Sequence, residues 1–385
     1  MSVELRPLGV LCNLACYYCY QHPQREAHNI SRLYDIDLMK AAIEEEGGPF
    51  TLFGGEPLLL PLHDLETLWA WGLERYGSNS VQTNGTTIRK KHIDLFKNYK
   101  VHVGISIDGP GELNAMRSTR SGSAASNSKA TAKVERAIEW LCEEGIRPGL
   151  IVTLHRVNAC GNALNQLKEW FLRLDSLGIR SVVLHVLECE NTEIRSTYGM
   201  STAESIDAFL NLYHFEKSLS GLRFSVFSEI RNLLMGKDAQ VSCVWNGCDP
   251  YTTKAVRGVE GLGKRTNCGR VNKEGIDFEK SDSPGYERYL SLYHVEQSSG
   301  GCADCRFFIM CKGYCPGTSI GGDWRNRTEY CELWKHLFTF FEKELVKYGT
   351  IPLSLRADRV QVEEKVIAEW CSGKNPSLSS LTSDA

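Results

Sequence analysis

The sequence predicts an α/β protein: an open, partial (βα)6 barrel followed by a loop-rich, cysteine-rich domain. Short apolar runs alternate with stretches of helical spacing through roughly the first 220 residues. Residues suited to binding and catalysis recur where those runs end. Beyond residue 240 the periodicity fades, and eight of the fifteen cysteines fall between 243 and 331.

Val3–Gly9 reads as the first strand and Gln21–Arg32 as polar and irregular. Asp37–Glu46 has helical spacing through Leu38, Ala41 and Ile43. Phe50-Thr-Leu-Phe-Gly-Gly-Glu-Pro57 is a short apolar strand ending in a glycine turn. Leu65–Tyr76 is a helix with Leu65, Leu68, Trp69 and Leu73 on one face. Ser80–Gly85 is a strand and turn, Arg89–Tyr99 a helix, and Val101–Gly109 a strand closing on Ser106-Ile-Asp108-Gly. Arg120–Lys129, rich in Ser, Ala and Gly, is expected as a loop. Ala130–Glu144, Ala163–Leu177 and Thr202–Leu219 read as helices, with Pro148–Leu154 and Val182–Leu187 as strands between them.

Strands alternating with helices imply a parallel sheet with right-handed crossovers. Six units fall short of the eight of a closed barrel, so the barrel is open, with its functional groups at the C-terminal strand ends. The domains expected are the barrel at 1–220, a connecting segment at 221–242, the cysteine-rich domain at 243–335, and a C-terminal helix with a disordered tail at 336–385. Within the last, Arg325–Tyr348 is expected to be helical and the Ser-rich Pro376–Ala385 disordered.

The 385 residues suffice for one large domain or two. Apolar content of 42% and charged content of 24% are ordinary for a globular protein. A net charge of −3 points to neither nucleic acid nor a membrane surface as a partner. No signal peptide or spanning run is present, so a cytoplasmic location is expected. Fifteen cysteines in a reducing compartment point to metal rather than disulfides.

Cys12, Cys16 and Cys19 stand three and then two residues apart, so a tight loop can aim three thiolates at one point. Three thiolates fit three corners of a cubane iron–sulfur cluster and leave one iron open. An open coordination position is a mark of metal sites that do chemistry. A zinc knuckle or buried thiols are the plainer alternatives.

The cluster loop, Gly54-Gly55-Glu56-Pro57 and Ser106-Ile-Asp108-Gly together resemble the radical S-adenosylmethionine (SAM) superfamily. The resemblance implies a 4Fe–4S cluster on Cys12, Cys16 and Cys19, whose open iron takes the amino and carboxylate groups of S-adenosyl-L-methionine. Reductive cleavage then gives a 5′-deoxyadenosyl radical that abstracts a substrate hydrogen. By the same resemblance Gly54, Gly55 and Glu56 meet the methionyl amino group, and Tyr18 lies near the adenine. Ser106 and Asp108 suit the methionyl carboxylate and ribose hydroxyls, with Asn84 in a similar role. Arg117 and Arg136 are the candidates to meet the carboxylate.

Cys302-x2-Cys305-x5-Cys311-x3-Cys315, then Cys331, with Cys248, Gly263 and Cys268 upstream, resembles the SPASM auxiliary-cluster domain of peptide- and protein-modifying radical enzymes. That pattern implies two closed 4Fe–4S clusters, one on Cys243, Cys248, Cys268 and Cys315, the other on Cys302, Cys305, Cys311 and Cys331. A pair of zinc sites is the rival for these quartets. Within the family, sulfatase maturases carry an acidic residue directly after the position of Cys268, where this chain has Gly269. The segment Cys19–Ala27 looks more like maturases of ribosomally made peptides with nitrogen-fixation-type leaders, the tyramine-excising spliceases among them. The expected partners are a precursor peptide, a separate leader-binding protein and a reductant such as flavodoxin or ferredoxin.

Of the other cysteines, Cys142 reads as core, Cys160 falls in a polar loop and Cys371 in the tail, while Cys189 ends a strand near the rim. Glu188 and Glu190 read as solvated rim carboxylates, and the histidines show no ligand spacing. No catalytic acid or base is legible.

Overall fold

The computed structural model describes residues 3–28, 33–246, 248–249, 256–273, 275, 281, 285–295 and 301–382. The chain divides into two compact units. The first is Met1–Glu204 with Asn211–Ser225 and Arg257–Asp277; the second is Ser205–Leu210 with Val226–Val256 and Phe278–Ala385.

The first unit is built on β1 (Val3–Arg6), after which come α1 (His22–Glu26), α2 (Ile36–Glu46), β2 (Phe50–Leu52), α3 (Leu62–Tyr76), β3 (Asn79–Thr83), α4 (Lys90–Asn98) and β4 (Val101–Ser106). α5 (Ala124–Glu143), β5 (Gly149–Leu154), α6 (Arg156–Ala159), α7 (Asn162–Ser176), β6 (Ser181–Val186), α8 (Thr192–Tyr198), α9 (Thr202–Glu216) and β7 (Arg223–Phe224) follow. Two further strands, β8 (Arg257–Glu260) and β9 (Arg265–Thr266), come after α10 (Ser225–Leu234).

Among the described residues the strands form one sheet in the order β7-β6-β5-β4-β3-β2-β1-β8-β9. Every neighbouring pair is parallel except the β8–β9 hairpin. β1–β6 and the helices between them are those the periodicity predicts, and this is the open barrel; β7, within the segment expected to be a connection, and β8 extend the parallel sheet at either end. Its core sits between sheet and helices: Val3, Leu5, Leu52, Ile105, Val152 and Val182 on the strands, Leu65, Trp69, Ile93 and Leu167 on the helices, all 0% exposed. Fully buried parallel strands of this kind carry near-continuous apolar runs.

Several expectations change. Residues 257–266, expected within the cysteine-rich domain, are strands of the sheet, with Val3 opposite Phe50 on one side and Arg257 on the other. The pairing is held by Arg6, 2% exposed, which meets Glu260 at 2.7 Å and donates to the Asn267 carbonyl at 2.9 Å. Arg120–Lys129 is not all loop: α5 begins at Ala124 because the Ser123 hydroxyl accepts from the Ser126 amide and caps a weak first turn. Gln21–Arg32 contains the short α1, and residues 29–32 lie outside the described residues.

The second unit contains α10, α11 (Glu287–His294), α12 (Phe308–Cys311), α13 (Cys331–Lys347), α14 (Arg359–Cys371) and α15 (Leu378–Thr382). The helix expected from Arg325 starts at Cys331, because Ser319 and Thr328 form a β-bridge just before it. The expected disordered tail is instead tied down through residue 382. The Leu378 amide and Ser377 hydroxyl both donate to the Asp238 carboxylate, and Leu378 is 1% exposed. Residues 383–385 lie outside the described residues. An aromatic core holds the unit, with Trp334 stacked on Tyr314 at 4.3 Å and edge-on to Trp245 at 5.4 Å. Among the described residues no helix is long and apolar enough to cross a membrane.

Candidate active site and metal centres

The loop after β1 places Cys12, Cys16 and Cys19 by backbone pairing on both sides. The Ala15 amide donates to Ser118 O at 2.8 Å and the Tyr17 amide to Met116 O at 3.0 Å. On the other side Gly55 donates to Gly9 O and Glu56 to Leu11 O. A Cβ on Gly55 would stand 2.0 Å from the Leu11 oxygen, so only glycine lets the two loops meet.

The three thiols feel one another. Burial pushes Cys16 up to about 12, Arg117 opposes, and Cys19 and Cys12 add to the rise. Burial likewise raises Cys12. Ligand binding must therefore expel protons from these sulfurs, as metal capture by thiols does. Arg25, on α1, donates to Cys19 Sγ at 2.8 Å and to Val10 O at 3.0 Å. Burial works against its charge, yet Cys19 raises the guanidinium pKa above its ordinary value. Sequence reading missed Arg25; its signal is a cation six residues past the third cysteine. The Asn84 amide reaches Cys12 Sγ at 3.7 Å and Asn13 Oδ1 at 2.8 Å, so Asn84 braces the loop. Among the described residues no three His, Cys, Asp or Glu side chains close on a point as a lone metal ion needs. Cys16 and Cys19 line a cavity, and three thiols on one loop suit three corners of a cluster.

Glu56 is 1% exposed and fully engaged. Its carboxylate accepts from Leu58 N, Thr83 Oγ1 and Asn84 N, and burial raises its pKa against those bonds. It ties the ends of β2 and β3 together, and Gly54 and Gly55 are left as the approachable backbone of this turn.

Asp108, 0% exposed, is also engaged by the protein. It meets Arg117 Nε at 3.0 Å, accepts from Thr153 N at 2.9 Å and from the Tyr18 hydroxyl, and lies 3.6 Å from His155 Nε2. Burial alone would raise its carboxyl; Arg117, His155 and Tyr18 hold it down at about 2. Burial raises Tyr18 well above the tyrosine range, so it stays a phenol and donates. Asn158, 0% exposed, donates to the Asp108 and Thr153 carbonyls and completes the brace.

A cavity of about 140 Å³ opens between the cysteine loop and the strand ends. Cys16, Cys19, Tyr18, Ser106 and Arg117 line it. Ser106 Oγ accepts from Gln82 at 2.9 Å. Of the two arginines considered for the carboxylate, Arg117 lies in this cavity. Arg136 does not: it is 63% exposed on α5 and paired with Glu139 and Glu143. Helix geometry separates them, since Arg136 faces out where the residues at 134, 137 and 138 face in.

The same cavity is also lined by His185, Glu188 and Arg270. Glu188, expected to be solvated, is 8% exposed and held by Arg270 at 3.2 Å and Lys273 at 2.9 Å. Arg270 also reaches His185 Nδ1 at 3.1 Å. A guanidinium can only donate, so Nδ1 accepts and the ring proton sits on Nε2. Burial, then Arg270 and Arg117, press His185 down to about 3, so it is neutral at physiological pH. A second opening of about 470 Å³ beside the loop is lined by Tyr17, Cys189, Glu190 and Lys273.

In the second unit Cys302, Cys305, Cys311 and Cys331, the quartet that the SPASM resemblance implies, line one small cavity walled by Phe307, Phe308 and Phe338. Burial pushes Cys302 up to about 12, with Cys305 and Cys331 adding to it. Arg288, 0% exposed, donates to the carbonyls of Lys312, Gly313, Trp324 and Asn326. It fixes a turn in which residues 312, 313 and 314 all have positive φ, and so sets the path from Cys311 to Cys315. Cys243, Cys248 and Cys315 lie in this unit, whereas Cys268 lies in the first, at the turn after β9.

Residues 7–184 match the radical SAM superfamily. A cysteine-type anaerobic sulfatase-maturating enzyme of Clostridium perfringens is 25% identical over 387 residues, covering 90% of this chain and 97% of that protein. A serine-type anaerobic sulfatase-maturating enzyme of Klebsiella pneumoniae is 30% identical over 213 residues, 52% of this chain and 51% of that protein. Among solved structures, native anSMEcpe with bound AdoMet and a Cp18Cys peptide has a TM-score of 0.67 at 20% identity, covering 90% of this chain and 98% of that one. Streptococcus suis SuiB bound to S-adenosylmethionine has a TM-score of 0.56 at 13% identity, covering 86% and 74%.

Proposed function

We propose that the chain, which matches the radical SAM superfamily over residues 7–184, is an enzyme of that chemistry and modifies a residue within a ribosomally made precursor peptide. The observation that carries this reading is the barrel cavity. Its lining combines two of the loop cysteines, Ser106 and Arg117 with a polar group of His185, Glu188 and Arg270. The Clostridium relative, matched over nearly its whole length, supports a peptide or protein substrate.

A 4Fe–4S cluster would be held by Cys12, Cys16 and Cys19, and with S-adenosylmethionine bound it would supply radical chemistry able to take a hydrogen atom from the substrate. The chain's own residues do the rest. Arg25 balances charge at Cys19. Ser106 and Arg117 offer a hydroxyl and a guanidinium to the cofactor's carboxylate, and the Gly54–Gly55 backbone offers carbonyls to its ammonium group. Asp108 meets no ligand; it orients Tyr18 and Arg117. His185, its proton on Nε2, lines the cavity, and the buried walls exclude water.

A narrower form of the reading is peptide splicing, with loss of a tyramine equivalent to leave an α-keto-β-amino acid. The rival is sulfatase-type oxidation of a Ser or Cys, which the relatives favour. Against it, Gly269 offers no carboxylate where those enzymes carry an acid, and the cavity's Glu188 is clamped by two cations. Anaerobic co-expression with precursor peptides encoded nearby decides between them by mass. Loss of a tyramine equivalent selects splicing, loss of two hydrogens that joins two residues in fragment spectra selects a crosslink, and a new aldehyde on one Ser or Cys, read by carbonyl labelling, selects the rival. An unchanged peptide alongside intact cofactor cleavage overturns the peptide reading.

A further inference from the structure

On the outside of the first unit lies an open groove of about 810 Å³. Lys129, Lys133 and Arg136 line it from α5 and Arg89 from the cap of α4, and among the described residues no acidic side chain lines it. Arg136 is balanced by its glutamates, but Arg89, Lys129 and Lys133 are exposed and make no ion pair among the described residues. In a chain of net charge −3, that is a local concentration of positive charge.

The groove reaches the cysteine loop itself. Asn13 and Leu14, directly after Cys12, form part of its lining. The Leu14 amide donates to Cys12 Sγ at 3.4 Å. Arg120, exposed alongside, donates to the Cys12 carbonyl at 2.6 Å. Half-buried Trp140 adds an apolar spot. The groove shares no lining residue with the barrel cavity of Ser106 and Arg117. A substrate must enter that cavity, whereas an electron carrier needs only the outer edge of the cluster loop.

We propose that this groove docks a small acidic one-electron carrier of the flavodoxin type. One electron leaves the carrier's reduced flavin and is taken up by the cluster at Cys12, Cys16 and Cys19; no bond and no proton moves. The proposal rests on the assignment of a cluster to those three cysteines. Opposite charge across such a contact speeds encounter and weakens with salt.

The test uses the full-length, anaerobically reconstituted holoenzyme, a flavodoxin, and the variant carrying both Lys129→Glu and Lys133→Glu. Calorimetry at low salt is expected to show flavodoxin binding weakened about tenfold or more, and added salt to weaken the unmodified protein's binding likewise. Flavodoxin hydroquinone should bleach the variant's visible cluster absorbance about tenfold more slowly, while dithionite bleaches both proteins at the same rate. Arg89→Glu, on the other wall, gives the same pattern and serves if the double variant fails to fold. Unchanged flavodoxin binding overturns the proposal, as does equal slowing with both donors, or loss of peptide binding with carrier binding intact. An unmodified holoenzyme that dithionite does not bleach refutes the cluster assignment first, and the docking proposal with it.

Discussion

At Asp108 the native fold keeps a carboxyl at about 2, against an ordinary 3.8. The folded value lies below the unfolded one. Its contribution is therefore present above about pH 4 and lost as the pH falls toward 2, and is worth about 2 kcal/mol. Urea unfolding between pH 5 and 2.5 should show that decline in the unmodified protein and a flatter profile in Asp108→Asn. Because Asp108 orients Tyr18 and Arg117 rather than touching ligand, the variant should bind S-adenosylmethionine more weakly, read as a raised KM. Arg25 acts at the sulfur itself: Arg25→Gln should hold less iron after reconstitution, and Arg25→Lys should restore part of it. Both residues show the reach of sequence reading. Asp108 stands out as a strand-end acid, but its partners come from Tyr18, Arg117 and Thr153, so its role as a brace appears only when three segments meet. Arg25 sits in a polar stretch with no periodicity to mark it.

Among the elements, the glycine turn after β2 and the loop after β1 fit each other at one point. Gly55→Ala puts a Cβ 2.0 Å from Leu11 O, against backbone that cannot swing aside. It should cost roughly 1–3 kcal/mol and loosen the loop just before Cys12; thermal melting and iron retention check both. In the second unit Arg288→Met should cost roughly 3–5 kcal/mol, since it strands buried carbonyls, and iron should be lost from the quartet of Cys302. Six strands and their helices are legible in the sequence because buried parallel strands and amphipathic helices write two distinct periods. β8 is not, since Arg257-Gly-Val-Glu is four residues with two charges, and it is a strand only because β1 offers it an edge. Glu188 reads as solvated for a related reason: the cations that bury it, Arg270 and Lys273, are more than eighty residues away in sequence.

For the whole chain, three cubane clusters imply about twelve irons. Cys302→Ser should lower that by about four and keep the open cluster, whereas Cys16→Ser should lower it equally and abolish cleavage of S-adenosylmethionine. Iron and sulfide assays with 5′-deoxyadenosine detection separate the two. The sheet order carries one more consequence. β1 lies between β2 and β8, so β1 finds one of its two neighbours only after residue 257 has been synthesised. Such long-range parallel pairing is slow and late in assembly. Until then the nascent chain displays β1 as an unpaired edge, directly ahead of Cys12 and Cys16. A ribosome-bound chain that stops short of β8 should therefore stay sensitive to protease around β1, and become protected once β8 emerges.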